Sequence, residues 1–173
     1  MDDFFQKVTS MRDPFSRLAS QIPGFGGYME RQSRRDADRL LRETVARRFE
    51  EQWQRISQLQ SDLVSNGMIA YVDDMEKAAL KLRTFIDKLS HAPRGYSGLF
   101  DAVKINEKEL EAIYQFDAAF FDLAEQVGRA VDNVERSLSD EAGLPAAIRN
   151  LTSLTRLAVE TYEKRSEAVT GSK

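Results

Sequence analysis

The sequence predicts an all-α protein, an elongated four-helix bundle preceded by a short helical segment at 1–22. Three observations favour this class. The stretch from Tyr28 to Ser65 contains neither glycine nor proline, apolar residues recur every three or four positions in the later stretches, and no stretch alternates as a strand does. With 173 residues, 42% of them apolar, the chain can bury a substantial core, so we expect a single domain, 1–173. The long helices are predicted at 28–65, 69–90, 106–138 and 146–168.

The first two predicted helices form an antiparallel hairpin. The buried face of the first carries Leu41, Val45, Phe49, Trp53, Ile56, Leu59 and Leu63. Asn66 and Gly67 predict a left-handed C-cap, because glycine adopts that conformation at low cost. The second helix has heptad spacing typical of a coiled coil, with Val72, Met75, Ala79, Leu82, Ile86 and Leu89 inward. This helix is shorter, so we expect it to end beside residues 42–46.

The second half of the chain predicts a packed loop at 92–105 and two more helices. Asn106 is the expected N-cap of the third helix, and Gly143 and Pro145 mark the break before the fourth. The third helix has Leu110, Ile113, Phe120, Ala124, Val127, Val131, Val134 and Leu138 inward, while Phe116, Phe121 and Leu123 widen its apolar face. The fourth carries Ile148, Leu151, Leu154, Ala158 and Tyr162.

The N-terminal stretch predicts short pieces rather than one helix. Asp13 and Pro14 are typical of an N-cap and a first helical residue, which favours a short helix at 14–21. The apolar residues at three- or four-residue steps in this stretch are Phe4, Val8, Met11, Phe15, Leu18 and Ile22. Three glycines within 24–27 then predict a hinge or a tight turn. We expect the short pieces to pack on the outside of the bundle or on a second copy.

Composition argues against several classes of function. The chain has 25 Lys/Arg and 28 Asp/Glu, a net charge of −3, which argues against a general nucleic-acid binder. It has no cysteine, which excludes disulfides, thiolate metal sites and cysteine nucleophiles. No apolar run is long enough to span a membrane, and the start lacks the basic region of a secretory signal. The cytoplasm is therefore the expected compartment.

The predicted helix lengths bring several unusual segments to one end of the bundle. Because the second helix is shorter than the first, the 92–105 loop must cover the first turns of the long helix. The glycine turn at 24–27 and the acidic start of the third helix should lie there too. We therefore predict a partner-binding surface at this end. Its candidate residues are Arg31, Arg34, Arg35, Arg39, Arg42, Tyr96, Phe100 and Lys104.

The arginines in this set have two interpretations. Helical spacing puts four arginines roughly on one face, where they could hold phosphate or carboxylate groups: Arg31, Arg35, Arg39 and Arg42. Acidic residues are interleaved with them, as in the four-residue pair of Arg39 and Glu43. A self-paired surface network is the simpler interpretation, since a nucleic-acid site shows an excess of positive charge.

No motif predicts an enzyme. The glycine turn at 24–27 lacks the preceding strand and the following Lys-Ser/Thr of a phosphate loop. Gly95-Tyr96-Ser97-Gly98 lacks the setting of a hydrolase serine, and His91, the one histidine, is expected at a helix C-terminus. A di-metal site in the bundle needs more than one histidine. Because carboxylates are rarely buried without a partner, we expect Asp117, Asp122 and Glu125 to face solvent. We predict no catalytic, cofactor-binding or metal-binding residue.

Three motifs carry a resemblance to a known family. Gly27-Tyr28-Met29-Glu30-Arg31, the run Ala37–Arg42 and the run Gly95–Lys104 together resemble a family of bacterial all-helical proteins with no known activity. The resemblance covers most of the chain and implies no function. A looser similarity, of outline only, is to the membrane-stress coat proteins of the phage-shock type. Pro14, the glycine turn and the 95–98 loop depart from that pattern.

Three functions follow as hypotheses. The first is a non-enzymatic protein–protein interaction or scaffold module, with another protein as partner and a homo-oligomer as a further option. The second is a peripheral membrane-surface protein that acts through residues 1–22, although the charges of that stretch cancel. The third is a phosphate or nucleotide binder at the 24–35 turn.

Overall fold

A computed structural model of the protein describes residue 18 and residues 20–22, 34–91 and 107–170. Side chains are described for residue 18 and for 20–22, 39–91 and 114–167. The helices are α1 (Arg34–Ser65), α2 (Val72–Ser90), α3 (Glu107–Ser137) and α4 (Leu144–Thr170). A 3-10 turn, Ile69–Tyr71, precedes α2. The described ranges contain no strand, and the prediction of an all-α helical bundle is confirmed.

The four helices pack as the corners of a square. Going round it, α1 packs on α2, α2 on α4, α4 on α3, and α3 on α1. Arg48 contacts Phe121 and, two turns later, Arg55 contacts Asp132, so α1 and α3 run parallel. The short turns after α1 and after α3 make α2 and α4 antiparallel to them. Helices α2 and α3, which follow each other in the chain, therefore stand at opposite corners.

The turn between α1 and α2 is closed as the sequence predicts. Gly67 has a φ of 75°, and its N–H donates to the carbonyl of Val64 at 3.0 Å. The N–H of Met68 donates to the carbonyl of Leu63 at 2.8 Å. This pair of bonds is a Schellman motif, which satisfies the last carbonyls of α1. The predicted left-handed C-cap is confirmed.

Two helix starts differ from the prediction by two or three residues. The expected helix at 69–90 opens with a 3-10 turn, in which the N–H of Tyr71 donates to the carbonyl of Met68 at 3.1 Å. The fourth helix starts at Leu144 instead of 146, because the carbonyl of Gly143 already accepts from the N–H of Ala147 at 3.2 Å. Pro145 then lies in the first turn, where its missing N–H costs nothing.

The core is centred on Phe85, which is fully buried. Its ring lies 4.6 Å from that of Phe49 on α1, 5.3 Å from that of Phe120 on α3, and 6.3 Å from that of Tyr162 on α4, centroid to centroid. A single side chain of α2 therefore touches an aromatic ring from each of the other three helices. The heptad series predicted for α2 omits Phe85.

Most of the residues predicted to point inward are buried. Of those described, four are only half-buried, although they still pack against the core: Trp53, Val72, Leu138 and Leu154. Phe116 is also half-buried, whereas Phe121 and Leu123 are buried as part of a widened face of α3. The side chains of Leu110 and Ile113 and the cap at Asn106 lie outside the described residues.

Two residues of the N-terminal stretch belong to the same core. Leu18 is fully buried and Ile22 is 3% exposed, while Ser20 between them is exposed. The N–H of Ile22 donates to the carbonyl of Leu18 at 3.0 Å, which is one helical turn. Leu18 and Ile22 therefore pack in the core of their own bundle.

Candidate interaction surface at one end of the bundle

Helix α2 ends beside Arg42, as its length predicts. The guanidinium Nη1 of Arg42, which is half-buried, lies 3.5 Å from the carbonyl oxygen of Leu89 in the last turn of α2. The N-terminal part of α1 therefore extends past α2. This is the end of the bundle at which the sequence predicts a partner-binding surface.

The last carbonyls of α2 accept from side chains of both neighbouring helices and from the backbone of His91. Besides the contact with Arg42, the hydroxyl of Tyr162 on α4 donates to the carbonyl of Lys88 at 3.1 Å. The backbone N–H of His91 donates to the carbonyl of Asp87 at 2.9 Å, so His91 is the C-cap of α2 and lies at the helix C-terminus, as predicted. These contacts hold the last turn of α2 against α1 and α4, and so determine where the helix ends.

The described arginines of the candidate set are engaged within the fold. Arg39 is exposed and forms an ion pair with Glu43, with its Nε 2.8 Å from the carboxylate Oε1. This is one of the self-paired contacts predicted from the four-residue spacing, and Arg42 contacts α2 as described above. Arg34 and Arg35 lie in α1, but their side chains are outside the described residues.

The other predicted site residues are outside the described part of the chain. These are Arg31, Tyr96, Phe100 and Lys104. The glycine turn at 24–27 and the 95–98 motif are outside it as well. What the structure gives is the position of the helix ends that flank them. Residues 92–106 connect the end of α2 with the start of α3, two opposite corners of the square at this end.

A buried ion pair lies near the same end. Arg165 on α4 and Asp117 on α3 are 1% and 3% exposed. Arg165 donates from Nε to Oδ1 at 2.5 Å and from Nη2 to Oδ2 at 3.2 Å, which is the two-pronged geometry of a strong arginine–carboxylate pair. The expectation that Asp117 faces solvent is therefore wrong. The carboxylate is buried because a guanidinium from the next helix neutralises it.

The sequence contained a signal for this pair. Asp117 precedes Phe120 by three residues, and Arg165 follows Ala158 by seven, so both charges stand near the inward faces of their helices. A charge at a core position indicates a buried partner of opposite sign. The sequence pattern alone does not identify the partner, because α3 and α4 meet only in the tertiary structure. Asp122 is half-buried and Glu125 is exposed.

A second ion pair joins α2 and α4 on the surface. The ammonium of Lys88 lies 2.7 Å from Oε1 of Glu163, next to the bond between Tyr162 and the carbonyl of Lys88. The hydrogen bond from Lys88 holds the pKa of the Glu163 carboxyl below its usual value, and the charge of Lys88 adds to this effect. This pair therefore favours the ionised glutamate at neutral pH.

The described residues contain neither a metal-binding cluster nor a membrane-spanning helix. In the part of the chain that the structure describes, no group of three or more His, Asp or Glu side chains could hold a metal ion. None of the helices in the described ranges is both long and apolar enough to cross a membrane.

Comparisons with models of protein families, with curated proteins and with solved structures found no match. The family resemblance of the three sequence motifs therefore stays a prediction.

Proposed function

We propose that this protein is a non-enzymatic interaction or scaffold module whose partner surface lies at the Arg42 end of the bundle. The supporting observation is the contact between Arg42 and the carbonyl of Leu89. This contact sets the end of α2 beside the first described turns of α1, so the arginine-rich turns extend beyond the paired part of the hairpin. In the cell we propose a cytoplasmic location, as the sequence predicts.

The topology gives this surface further support. Residues 92–106 join opposite corners of the square at this end, and they contain Tyr96, Phe100 and Lys104. Aromatic residues are enriched at protein interfaces, so Tyr96 and Phe100 suit a protein partner.

Capture of the native partner tests this function. Full-length wild type and the Arg35→Glu variant are used as bait in lysate of the native cell, and bound proteins are identified by mass spectrometry. We expect the partner to be lost or reduced about tenfold with Arg35→Glu, because a reversed charge in the interface is repulsive. The matched control is Arg149→Glu, an exposed arginine near the start of α4 at the opposite end.

Unchanged capture by Arg35→Glu, or equal loss with Arg149→Glu, would contradict a partner surface at this end. The Tyr96→Ala variant checks the surface independently of charge. It should reduce capture of the same partner. If neither Arg35→Glu nor Tyr96→Ala reduces that capture, the proposal loses its basis.

The burial of Leu18 and Ile22 argues against the membrane hypothesis. It requires the apolar residues of 1–22 to face lipid, but Leu18 and Ile22 lie within the core. Co-sedimentation of the full chain with anionic liposomes checks it. We expect the protein to stay in the supernatant, and binding that is lost in a chain starting at Pro23 would favour the membrane hypothesis instead.

A further inference from the structure

The turn between α1 and α2 contains a dipeptide, Asn66-Gly67, that can react with itself. The chain has four asparagines, and Asn66 alone is followed by glycine, whereas Glu107, Val134 and Leu151 follow the others. A side chain on the following residue hinders the approach of its backbone nitrogen to the asparagine amide, and glycine has none. Asn66 and Gly67 are both exposed, so water reaches the peptide between them. The dipeptide therefore has the sequence and the exposure of a site of spontaneous deamidation.

This reaction needs only base and water. The backbone nitrogen of Gly67 loses its proton to base and attacks the side-chain amide carbon of Asn66. A bond forms between these two atoms, the bond from that carbon to Nδ2 breaks, and Nδ2 takes up a proton and leaves as ammonia. Water then opens the five-membered imide at either carbonyl, which gives aspartate or isoaspartate. Asparagine and water are thus converted into an acidic residue and ammonia.

The closed turn keeps the two reacting groups apart. Nδ2 of Asn66 donates to the carbonyl of Asp62 at 2.8 Å, so the side chain points back along α1. The backbone N–H of Asn66 donates to the same carbonyl at 3.0 Å, as in a helix. The N–H of Gly67, whose proton has to leave, donates to the carbonyl of Val64 at 3.0 Å. Because these bonds hold both groups, ring closure requires the turn to open first.

We propose that Asn66 is a deamidation site that the cap of α1 protects, so that it is modified only in molecules whose turn between α1 and α2 has opened. The product hinders closure of the turn. It lacks the Nδ2 donor to the carbonyl of Asp62, and it places a negative charge at the C-terminal end of α1, where the helix dipole disfavours it. Isoaspartate also lengthens the backbone before Gly67, which displaces the N–H groups of Gly67 and Met68 from their acceptors.

Peptide mass spectrometry tests the protection. Full-length wild type is incubated at mildly alkaline pH in buffer and in guanidinium chloride, and deamidation of Asn66 is followed over time. The rate in guanidinium chloride should be higher by about tenfold or more, because in buffer only the fraction of molecules with an open turn can react. Asn133 and Asn150 are internal controls, which should react much more slowly in both solutions because valine and leucine follow them.

Two neighbouring substitutions separate the cap from the chemistry of the dipeptide. The side chain of Met68 is half-buried and packs against the core, whereas that of Ile69 is 68% exposed. Met68→Ala should raise the rate in buffer about threefold or more, because it removes the apolar contact that accompanies a Schellman motif. Ile69→Ala is the matched control and should leave the rate unchanged. In guanidinium chloride, wild type and both variants should react at the same rate.

Equal rates for wild type in buffer and in guanidinium chloride would overturn the inference, and so would equal rates for Met68→Ala and Ile69→Ala in buffer. Circular dichroism shows whether Met68→Ala keeps its helices. If this variant unfolds, the two wild-type rates still decide, because they need no substitution. Deamidated protein separated by ion exchange should unfold at a lower urea concentration than unmodified protein. An unchanged urea midpoint would contradict the effect of the product on the cap.

Discussion

At the residue scale, the most informative feature is the pair of Asp117 and Arg165. Two charges lie in a helical core because each satisfies the other through two hydrogen bonds. Such pairs contribute little net stability compared with apolar residues of similar size, but the loss of one partner is costly. The pair ties α3 to α4 at one height, so it also specifies how these two helices align.

Asp117→Ala should lower the free energy of unfolding by about 3–5 kcal/mol, because Arg165 then remains buried without this carboxylate. Replacing both residues, by Asp117→Leu and Arg165→Met, should restore most of the loss. Urea unfolding followed by circular dichroism measures both effects. The control is Asp132→Ala, which removes an exposed partner of Arg55 and should cost about 0–1 kcal/mol. Equal costs for Asp117→Ala and Asp132→Ala would refute the buried-pair explanation.

The Glu163 carboxyl gives a pH-dependent contribution. Its pKa in the folded protein lies below its usual value, because Lys88 donates a hydrogen bond to the ionised form. A lowered carboxyl pKa stabilises the fold above the unfolded pKa and loses that contribution as pH falls through the folded pKa. Wild type should therefore exceed Glu163→Gln in urea midpoint at pH 7, and the difference should vanish at pH values below the folded pKa. A difference that stays constant with pH would contradict this assignment.

At the element scale, two glycines show how backbone geometry decides whether a Gly→Ala substitution stabilises or destabilises the protein. Gly67 ends α1 with a positive φ of 75°, whereas Gly128 lies inside α3 beside Gln52 of α1. A Cβ at Gly67 meets no atom within 4 Å, but its backbone conformation is unfavourable for other residues. A Cβ at Gly128 would lie 3.5 Å from Oε1 of Gln52, an ordinary contact with a flexible side chain.

Gly67→Ala should therefore destabilise the protein by about 1 kcal/mol, because alanine is strained in the left-handed region. Gly128→Ala should stabilise it by about 0.5–1 kcal/mol, since alanine loses less entropy than glycine in a helix. The two variants are each other's control in thermal or urea unfolding. If both substitutions changed the stability in the same direction, the space around the Cβ, and not the backbone conformation, would determine the effect.

At the scale of the whole molecule, Phe85 joins the four helices. It contacts an aromatic ring on α1, α3 and α4. Aromatic pairs contribute packing energy beyond the area they bury, and here three of them share one ring. Loss of this side chain should weaken the packing of α2 against all three other helices at once, and not of one helix pair alone.

Phe85→Ala should reduce the free energy of unfolding by about 3–5 kcal/mol, as expected when a large buried side chain leaves a cavity. Leu80→Ala is the matched control, because Leu80 is on the same helix but 58% exposed, and it should change stability by only about 0.5 kcal/mol. Urea unfolding measures both. A Phe85→Ala cost near that of Leu80→Ala would mean that the ring cluster does not hold the bundle together.

Local features of the fold were predictable from the sequence. The apolar period identified the buried faces of α1 and α2, and Gly67 and Gly143 marked the breaks between helices within a few residues. The end of α2 beside Arg42 followed from helix length alone. In the candidate site, the ion pair of Arg39 with Glu43 followed from helical spacing. Each of these depends on residues close in the chain.

The tertiary structure alone decided which of these faces meet. It placed α2 and α3 at opposite corners, joined Asp117 to Arg165, and brought Leu18 and Ile22 into the core. By itself the sequence determined an all-helical chain with known breaks, because turn chemistry and helical period act over a few residues. Buried charge pairs and extra covered faces depend on contacts between distant residues, and those contacts exist only once the helices have packed.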